Sequence, residues 1–292
     1  MYYHTLNYKT PPCYNKSPAM SGTFILMKTL TVFRKLKEKV SVLYHQLNLK
    51  RHEPATGRPR SLKTIETISL ALYKHTQGIP TKKAVWKDFG LRCAYKTFVV
   101  SVNRLIVLIT KILLEILKES RRNAHPIKYT DATDIPVCLN KNAKYHKTMR
   151  AIAVWGRGSK GYFYGLKLHV TADYRGKLLS FSFTPGNRDD RTQFMTLNKN
   201  LHGLFIADAG YISQKLSHEF NIDYRRLLMA KPKKNMKKIV TEFQHRLYSS
   251  RALVEMHFNN MKKFYNLINT LPRSIDGYLG NYLCSLLAHV LA

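Results

Sequence analysis

The stretch YFYGLKLHVTADYRGKLLSFSFTPG, residues 162 to 186, alternates apolar and polar side chains on both sides of Gly176. Alternation with a period of two is the pattern of a half-buried β-strand, and a glycine between two such runs favours a tight turn. We therefore predict a hairpin of two strands, residues 162 to 173 and 177 to 186. The hairpin places a β-sheet in the second half of the chain.

Segments on either side of this hairpin complete an α/β pattern. KYTDATDIPV, residues 128 to 137, predicts a strand before it, and a helix, a strand, a helix and a strand follow at 190 to 201, 203 to 211, 213 to 220 and 223 to 230. A long helix from about Gln244 to Ile268 and an apolar helix from Gly277 close the chain. This order predicts a ribonuclease-H-like α/β domain, a mixed sheet flanked by helices.

The first 122 residues differ from the rest in their periodicity. Residues 27 to 122 repeat apolar side chains at helical spacing, which predicts an all-helical N-terminal domain before the sheet domain of residues 123 to 292. A basic loop, KRHEPATGRPRSLK at 50 to 63, lies between two helices and favours DNA binding; a helical bundle that only supports the sheet is the alternative. Residues 1 to 26 show no periodicity and predict a tail that is disordered or, with Met20 and Met27 available as starts, not translated.

Charge restricts the class of partner. The 292 residues include 49 Lys and Arg but 17 Asp and Glu, a formal net charge of +32, so a bound polyanion is expected and nucleic acid is the obvious one. A membrane surface is disfavoured because the basic residues are spread along the whole chain. The longest apolar stretch, residues 105 to 117, contains Lys111 and Glu115 and predicts a buried amphipathic helix, not a membrane span.

Cysteine spacing and the amino terminus bear on metal content and location. Four cysteines, Cys13, Cys93, Cys138 and Cys284, form no CxxC pair and no zinc-finger spacing with the histidines, so we expect free thiols and no zinc. The first residues lack the basic and then apolar layout of a signal peptide, which predicts a cytoplasmic protein.

Two aspartates lie where the predicted sheet would bind ligands. Asp208 follows the apolar run LFIA, so it is expected at the exit of a buried strand, the edge at which open α/β sheets bind ligands. Asp131 lies in the first strand of the same domain, and adjacent strands would bring the two carboxylates together. Each of them alone is more typical of a turn or a cap.

A third acid is expected on the long helix near the carboxyl end. Tyr248, Arg251, Glu255 and Lys262 form a row beside the apolar stripe that runs from Leu247 to Ile268. A solvated helix face is the alternative interpretation of this row. Because it borders the buried stripe, Glu255 is expected to point along the sheet edge toward Asp131 and Asp208. Three acids together in so basic a chain are unfavourable unless cations bind there.

These residues resemble a known family. The spacing of Tyr248, Arg251, Glu255 and Lys262 is similar to the Y-R-E-K signature of bacterial insertion-sequence transposases with a DDE active site. DAGY around Asp208 and TPGNRDDR, residues 184 to 191, resemble the blocks of the second aspartate and of the segment before it. TDATDIPVCLNKN, followed by YFYGLKLH, most resembles the insertion-sequence family numbered nine-eighty-two, over about residues 60 to 290.

One block departs from that family. Its members usually have Ser or Thr, and Pro, where this chain has Ala132 and Asp134. The block aligns Asp131 with the first catalytic aspartate, so the resemblance assigns the catalytic and metal-ligating roles to Asp131, Asp208 and Glu255. It implies two Mg²⁺ or Mn²⁺ ions, with Asp131 shared by both.

The resemblance also implies a reaction and partners. The chain is expected to bind the ends of its insertion sequence, cleave DNA phosphodiesters and join the 3′-OH ends to target DNA, acting as a homodimer on double-stranded DNA. A ribonuclease-H-like endonuclease or resolvase that does not join DNA, and a non-catalytic DNA- or RNA-binding relative, are the alternatives.

Five further residues are expected to contact DNA or support the site. On the helix, Arg251 and Lys262 are expected to meet the scissile phosphate or steady the carboxylates, and Tyr248 to stack or to bond to the backbone. Arg58 and Arg60 of the basic loop suit phosphate or groove contacts. Asp189 and Asp190 are expected to cap the helix that begins near them and not to bind metal.

Overall fold

The computed structural model describes residues 22–53, 56, 60–158, 161–233, 235–237 and 239–292, with side chains from Leu30 onward. Most of the predicted tail, and Arg58 of the basic loop, lie outside these residues. Helices α1 to α5 come first: Gly22–Gln46, Thr64–Thr76, Lys82–Asp88, Tyr95–Arg104 and Ile106–Arg122. The remaining helices are α6 (Asp190–Leu197), α7 (Gln214–Asn221), α8 (Glu242–Ser250), α9 (Ala252–Lys263) and α10 (Ile275–Leu291).

Six strands form one mixed sheet. They are β1 (Ile127–Pro136), β2 (Val154–Gly158), β3 (Gly161–Asp173), β4 (Leu178–Pro185), β5 (Gly203–Ala207) and β6 (Arg226–Ala230). β3 pairs antiparallel with β1, β2 and β4, whereas β5 pairs parallel with both β1 and β6. The predicted hairpin is confirmed as β3 and β4, and Gly176 has a φ of 78° in the turn between them.

Apolar side chains cover both faces of the sheet. On one face, Phe194 of α6 and Phe220 of α7 pack against Phe205 of β5. On the other, α9 and α10 contribute buried residues such as Phe258 and Tyr282 to the larger core. The ribonuclease-H-like mixed sheet flanked by helices, with a helical region before it, is therefore the fold of the chain.

The helical region packs directly on the sheet domain. Helix α10 contacts α2, α4 and α5, and α5 contacts β4, so one apolar core runs through both regions. The predicted division near residue 122 stays a prediction. Of the described helices, none is by itself long and apolar enough to span a membrane; α4 and α5 meet that criterion only together, with a bend of 45° between them. The apolar side of α5 is buried, as predicted for residues 105 to 117.

The prediction of one helix from Gln244 to Ile268 is wrong in two places. The helix is interrupted at Arg251, between α8 and α9. Ser249 and Ser250 donate hydroxyl hydrogen bonds to carbonyls four residues back, at 3.0 and 2.7 Å, a pattern that bends helices. The break places Arg251 at a helix junction, where its side chain reaches toward β1.

The second error is the carboxyl end of that helix. Helix α9 ends at Lys263, and Asn266 has a φ of 50°, the left-handed conformation that terminates helices. The Leu267 amide then donates to the Met261 carbonyl at 3.0 Å, six residues back, and closes the turn. Strand β2 was not predicted. The three described cysteines, Cys93, Cys138 and Cys284, are free thiols, as expected, and Cys13 lies outside the described residues.

Candidate active site

The two aspartates come together through the pairing of β1 with β5. These strands are parallel, and Thr130 of β1 is the register partner of Ala207 of β5. Asp131 and Asp208 are the next residue of each chain segment, so both carboxylates lie at the carboxyl end of β5. The Asp131 side chain is 18% exposed and the Asp208 side chain 48%, which places Asp131 at the inner end of the site.

One guanidinium joins these aspartates to the glutamate of the helix. Arg251 Nη1 lies 2.7 Å from Asp131 Oδ2, and its Nη2 lies 2.8 Å from Glu255 Oε1 and 3.9 Å from Asp208 Oδ1. Glu255 is in the first turn of α9 and Arg251 directly precedes that helix. We call Asp131, Asp208 and Glu255, with Arg251 at their centre, the carboxylate cluster.

The three acids interact electrostatically. Burial raises the pKa of Asp131 to about 6, a net value in which the guanidinium of Arg251 opposes the rise and the negative charges of Asp208 and Glu255 add to it. The backbone amide of Ala132 also donates to Asp131 Oδ1 at 2.9 Å. A carboxyl group that is pushed toward its neutral form in this way gains from any additional cation placed beside it.

The donor set suits a hard divalent cation, which is bound through carboxylate oxygens. In the described part of the chain, no three His, Cys, Asp or Glu side chains lie close enough together to hold a metal ion directly. In the carboxylate cluster the guanidinium is bonded to Asp131 and Glu255 and lies within ion-pair distance of Asp208. The acids thus converge on one positive group, and a metal ion shared among them requires that Arg251 shift.

The other predicted helix residues lie near the cluster but differ in accessibility. Lys262 Nζ donates to Thr133 Oγ1 of β1 at 2.6 Å. Tyr248 is 8% exposed, and its hydroxyl donates to the carbonyl of Ala230, at the end of β6, at 3.3 Å. Lys262 is therefore anchored on the same strand as Asp131, and Tyr248 links α8 to the sheet through a protein backbone carbonyl. Contacts of Lys262 and Tyr248 with DNA remain predictions.

Arg60 lies elsewhere, directly before α2. Arg60 is exposed, and its guanidinium donates a hydrogen bond to Thr64 Oγ1 at 2.9 Å. Contacts of Arg60 and of Arg58 with DNA remain predictions.

Three other aspartates lie outside the carboxylate cluster. Asp134 is three residues beyond Asp131 on β1, so its side chain lies on the opposite face of the strand. Asp189 is the N-cap of α6 and accepts from the Arg191 amide at 2.9 Å, as predicted. Asp190 does not cap the helix: its carboxylate pairs with Lys167 Nζ at 3.0 Å.

Tyr211 was not predicted as a site residue, although it belongs to the DAGY segment. It is 2% exposed, and its hydroxyl has no hydrogen-bond partner among the described residues. Burial raises its pKa well above the ordinary value, and the nearby carboxylates of Asp190 and Asp131 add to the rise. A tyrosine three residues after the second aspartate was the signal that could have identified it as part of the wall of the site.

Comparison with known proteins gives the family. Residues 121–275, more than half of the chain, match the model of the transposase DDE domain. A putative transposase for insertion sequence element IS6501 from Brucella ovis is 27% identical over 116 residues, which are 39% of this chain and 88% of that protein.

Among solved structures, the Mos1 mariner paired end complex with Mn has a TM-score of 0.25 and 12% identity, covering 85% of this chain and 83% of that one. A pre-cleavage Mos1 transpososome has a TM-score of 0.23 and 10% identity, with coverages of 82% and 81%. The family model spans the whole carboxylate cluster, from the strand of Asp131 to the helix of Glu255. The chain belongs to the family of transposases with a DDE domain.

Proposed function

We propose that this chain is an insertion-sequence transposase that binds the ends of its element, cleaves DNA phosphodiesters and joins the 3′-OH ends to target DNA. The observation that carries the proposal is the convergence of Asp131, Asp208 and Glu255 on one guanidinium. Membership of the family numbered nine-eighty-two is part of the proposal and is supported by the residues around Asp131 and the Y-R-E-K spacing.

The three carboxylates are proposed to hold two Mg²⁺ or Mn²⁺ ions. Such ions, if bound there, would supply positive charge that stabilises the attacking and the leaving oxygen of a phosphoryl transfer. Asp131, the most buried of the three, is the ligand proposed to serve both ions, and the more exposed Asp208 and Glu255 would each complete one of them.

Basic residues beside the cluster are proposed to hold the DNA. Lys262, anchored through Thr133, and Arg251 present positive charge next to the carboxylates, where a scissile phosphate would lie. The formal charge of +32 favours a polyanion over the rest of the surface. Arg58 and Arg60 are proposed to contribute to end recognition, and two copies of the chain to bring two ends together.

A strand-transfer assay tests the proposal. The full chain is incubated with Mg²⁺ or Mn²⁺ and two substrates: intact duplex that carries the inverted repeats flanking the coding region, and the same ends already cleaved to expose the 3′-OH. Cleavage of the first and joining of the second to a target plasmid support a transposase. Cleavage without joining would show an endonuclease or resolvase, and end binding without either reaction a non-catalytic relative.

A further inference from the structure

A cavity of about 630 Å³ lies where the helical region meets the carboxyl-terminal part of the chain. It is lined by residues of α2, α3 and α4 and by the segment that leads from α9 into α10. Five of the lining residues are cationic, and of the described residues that line it none is acidic; the cations are Lys74, Lys82, Lys83, Lys96 and Arg273. We call this space the lysine cavity.

Lys74 makes this cavity unusual because its charge is almost wholly buried. The residue is 3% exposed, and among the described residues its ammonium makes one hydrogen bond, a long one of 3.4 Å to Asn281 Oδ1. An ammonium group carries three donors, so most of its hydrogen-bonding capacity is unused. Buried charges in proteins are normally paired, and this one faces a cavity without a carboxylate.

Lys82 strengthens the same positive potential. It is half-buried at the start of α3, and its ammonium donates to the neutral Asn103 Oδ1 at 2.8 Å. Burial, together with the charge of Lys82, lowers the pKa of Lys74 to about 8, although Cys284 opposes the shift. The two ammonium groups therefore repel each other, and an anion between them would relieve both the repulsion and the burial of charge.

The shape and lining of the cavity select the class of anion. Its exposed cations, Lys83, Lys96 and Arg273, lie at the surface, and the buried ones at the inner end, so positive charge continues from solvent to Lys74. Apolar side chains such as Val99 and Pro272 form much of the remaining wall, which reduces screening inside. A volume of about 630 Å³ exceeds that of a phosphate ion and leaves room for an attached sugar.

We propose that the lysine cavity is a phosphate-binding site that takes a backbone phosphate of a DNA strand, with Lys74 and Lys82 as its ligands. The site lies outside the carboxylate cluster and joins the helical region to the sheet domain. Its assignment to DNA rests on the proposed function, whereas binding of phosphate itself does not. Because its cations come from both regions, the helical region and the sheet domain would bind the same DNA strand.

The first arm of the test uses inorganic phosphate and the full chain. Thermal unfolding is followed in sodium phosphate and in sodium chloride of equal ionic strength, for wild type, Lys74→Met, Lys82→Met and the control Lys87→Met, an exposed lysine of α3 outside the cavity. Phosphate should raise the melting temperature of wild type and of the control. Each cavity variant should bind phosphate at least about tenfold more weakly, as expected when one charged hydrogen bond is lost.

The outcomes of this arm are distinct. No stabilisation of wild type by phosphate over chloride, or equal stabilisation in both cavity variants, overturns the site. If Lys74→Met does not fold, Lys82→Met and Lys74→Gln decide the question with the same readout. None of these results depends on DNA cleavage, so they leave the proposed function untouched.

The second arm separates a DNA strand from a free phosphate compound. Binding of a duplex is measured over a range of salt concentrations, and loss of one phosphate contact should reduce the slope of log affinity against log salt by about one. Lys74→Met and Lys82→Met should each show that reduction. Slopes equal to wild type in both, after a positive first arm, would overturn the assignment to DNA.

Discussion

The carboxylate cluster and the lysine cavity both bring several charged groups together, but they balance the charge differently. In the cluster, three anions surround one cation of the same chain, at 2.7 to 3.9 Å. In the cavity, cations face one another, and the described lining offers them only neutral partners. The cluster is therefore balanced by the protein only in part, because three carboxylates share one guanidinium, whereas the cavity lining holds no opposite charge at all among the described residues. Substitutions in the two regions should consequently have different effects on activity and stability.

The largest effect is expected on catalysis. Asp131→Asn, Asp208→Asn and Glu255→Gln should each reduce cleavage and joining by at least about 10²- to 10³-fold, because each removes charge that stabilises the transition state through its bound cation. DNA binding should survive or tighten, since a group that repels phosphate is lost. Rates are measured with Mg²⁺ or Mn²⁺ on pre-cleaved and intact ends.

The control for these variants is Asp189→Asn, which changes a helix cap outside the cluster. It should stay close to wild type in both assays. An inactive Asp134→Asn beside an active Asp131→Asn would show that the first acid has been assigned to the wrong residue, although the class of chemistry would stand.

A second substitution tests whether Arg251 balances the cluster. Arg251→Gln leaves three carboxylates without their shared cation, and breaking a partly buried ion pair costs on the order of 1 to 3 kcal/mol. The variant should melt several degrees below wild type in EDTA. Mn²⁺ should then stabilise it more than wild type, because the ion no longer competes with the guanidinium.

Arg246→Gln is the matched control, since Arg246 lies on α8 and pairs with Glu242 in the open, where both side chains are at least 77% exposed. The melting temperature of Arg246→Gln should equal that of wild type, with or without Mn²⁺. Equal melting temperatures for Arg251→Gln and wild type in EDTA would contradict a balancing role for Arg251.

The sequence predicted the sheet well because its signals are local. Alternation in β3 and β4 and the apolar run of β5 can each be recognised within about ten residues, and their order along the chain indicated the fold. Strand β2 was missed because its five residues, VWGRG, include two glycines and show no sustained alternation. The break at Arg251 was missed because apolar spacing continues through it, whereas the serine bonds that bend the helix leave no periodic signal.

The two charged regions were predictable to different degrees. The acids of the cluster stand in motifs with fixed spacing, so the resemblance identified them, and strand pairing explains why Asp131 and Asp208 meet. Arg251 was expected to steady the carboxylates, but its central position depends on the helix break. The lysine cavity left no motif at all, because its cations come from segments nearly 200 residues apart and become neighbours only after α10 packs on α2.

A third prediction concerns two neighbouring histidines that stay neutral in the folded chain. His257 Nδ1 lies 2.8 Å from His289 Nε2, and burial, followed by the charge of His257, lowers the pKa of His289 to about 4. The unfolded chain therefore binds more protons than the folded one between pH 6.5 and 4, so stability should fall as pH falls through that window. The loss from this site is at most about 3 kcal/mol.

The measurement is urea unfolding of wild type and His289→Gln at several pH values. Burial lowers the pKa of His257, and the charge of Asp173 opposes that shift. Subtracting one curve from the other removes the contributions of Asp173 and of Glu115, Glu119 and Lys177, which line the adjacent cavity. The free energy of unfolding of wild type should fall relative to that of His289→Gln as pH falls toward 4, so the difference between the two should narrow or change sign. A difference that is constant from pH 7 to pH 4 would show that the pair does not stay neutral.

The smallest effect is expected in the lysine cavity without phosphate. Lys74→Met removes a buried ammonium that has one long hydrogen bond and keeps an apolar side chain of similar length. Replacing buried charge by apolar groups is often stabilising, so the variant should be about 1 to 2 kcal/mol more stable than wild type at pH 7 in phosphate-free buffer. The pKa of Lys74 in the folded chain, about 8, lies below the ordinary 10.5, so between these values the unfolded chain binds more protons than the folded one. The free energy of unfolding of wild type should therefore rise as pH rises from 8 toward 10, and the difference between the variant and wild type should shrink. Urea unfolding at pH 7 and pH 9.5 measures both quantities. A less stable variant at pH 7 would mean that Lys74 is already balanced inside the protein, and the contrast with the carboxylate cluster would disappear.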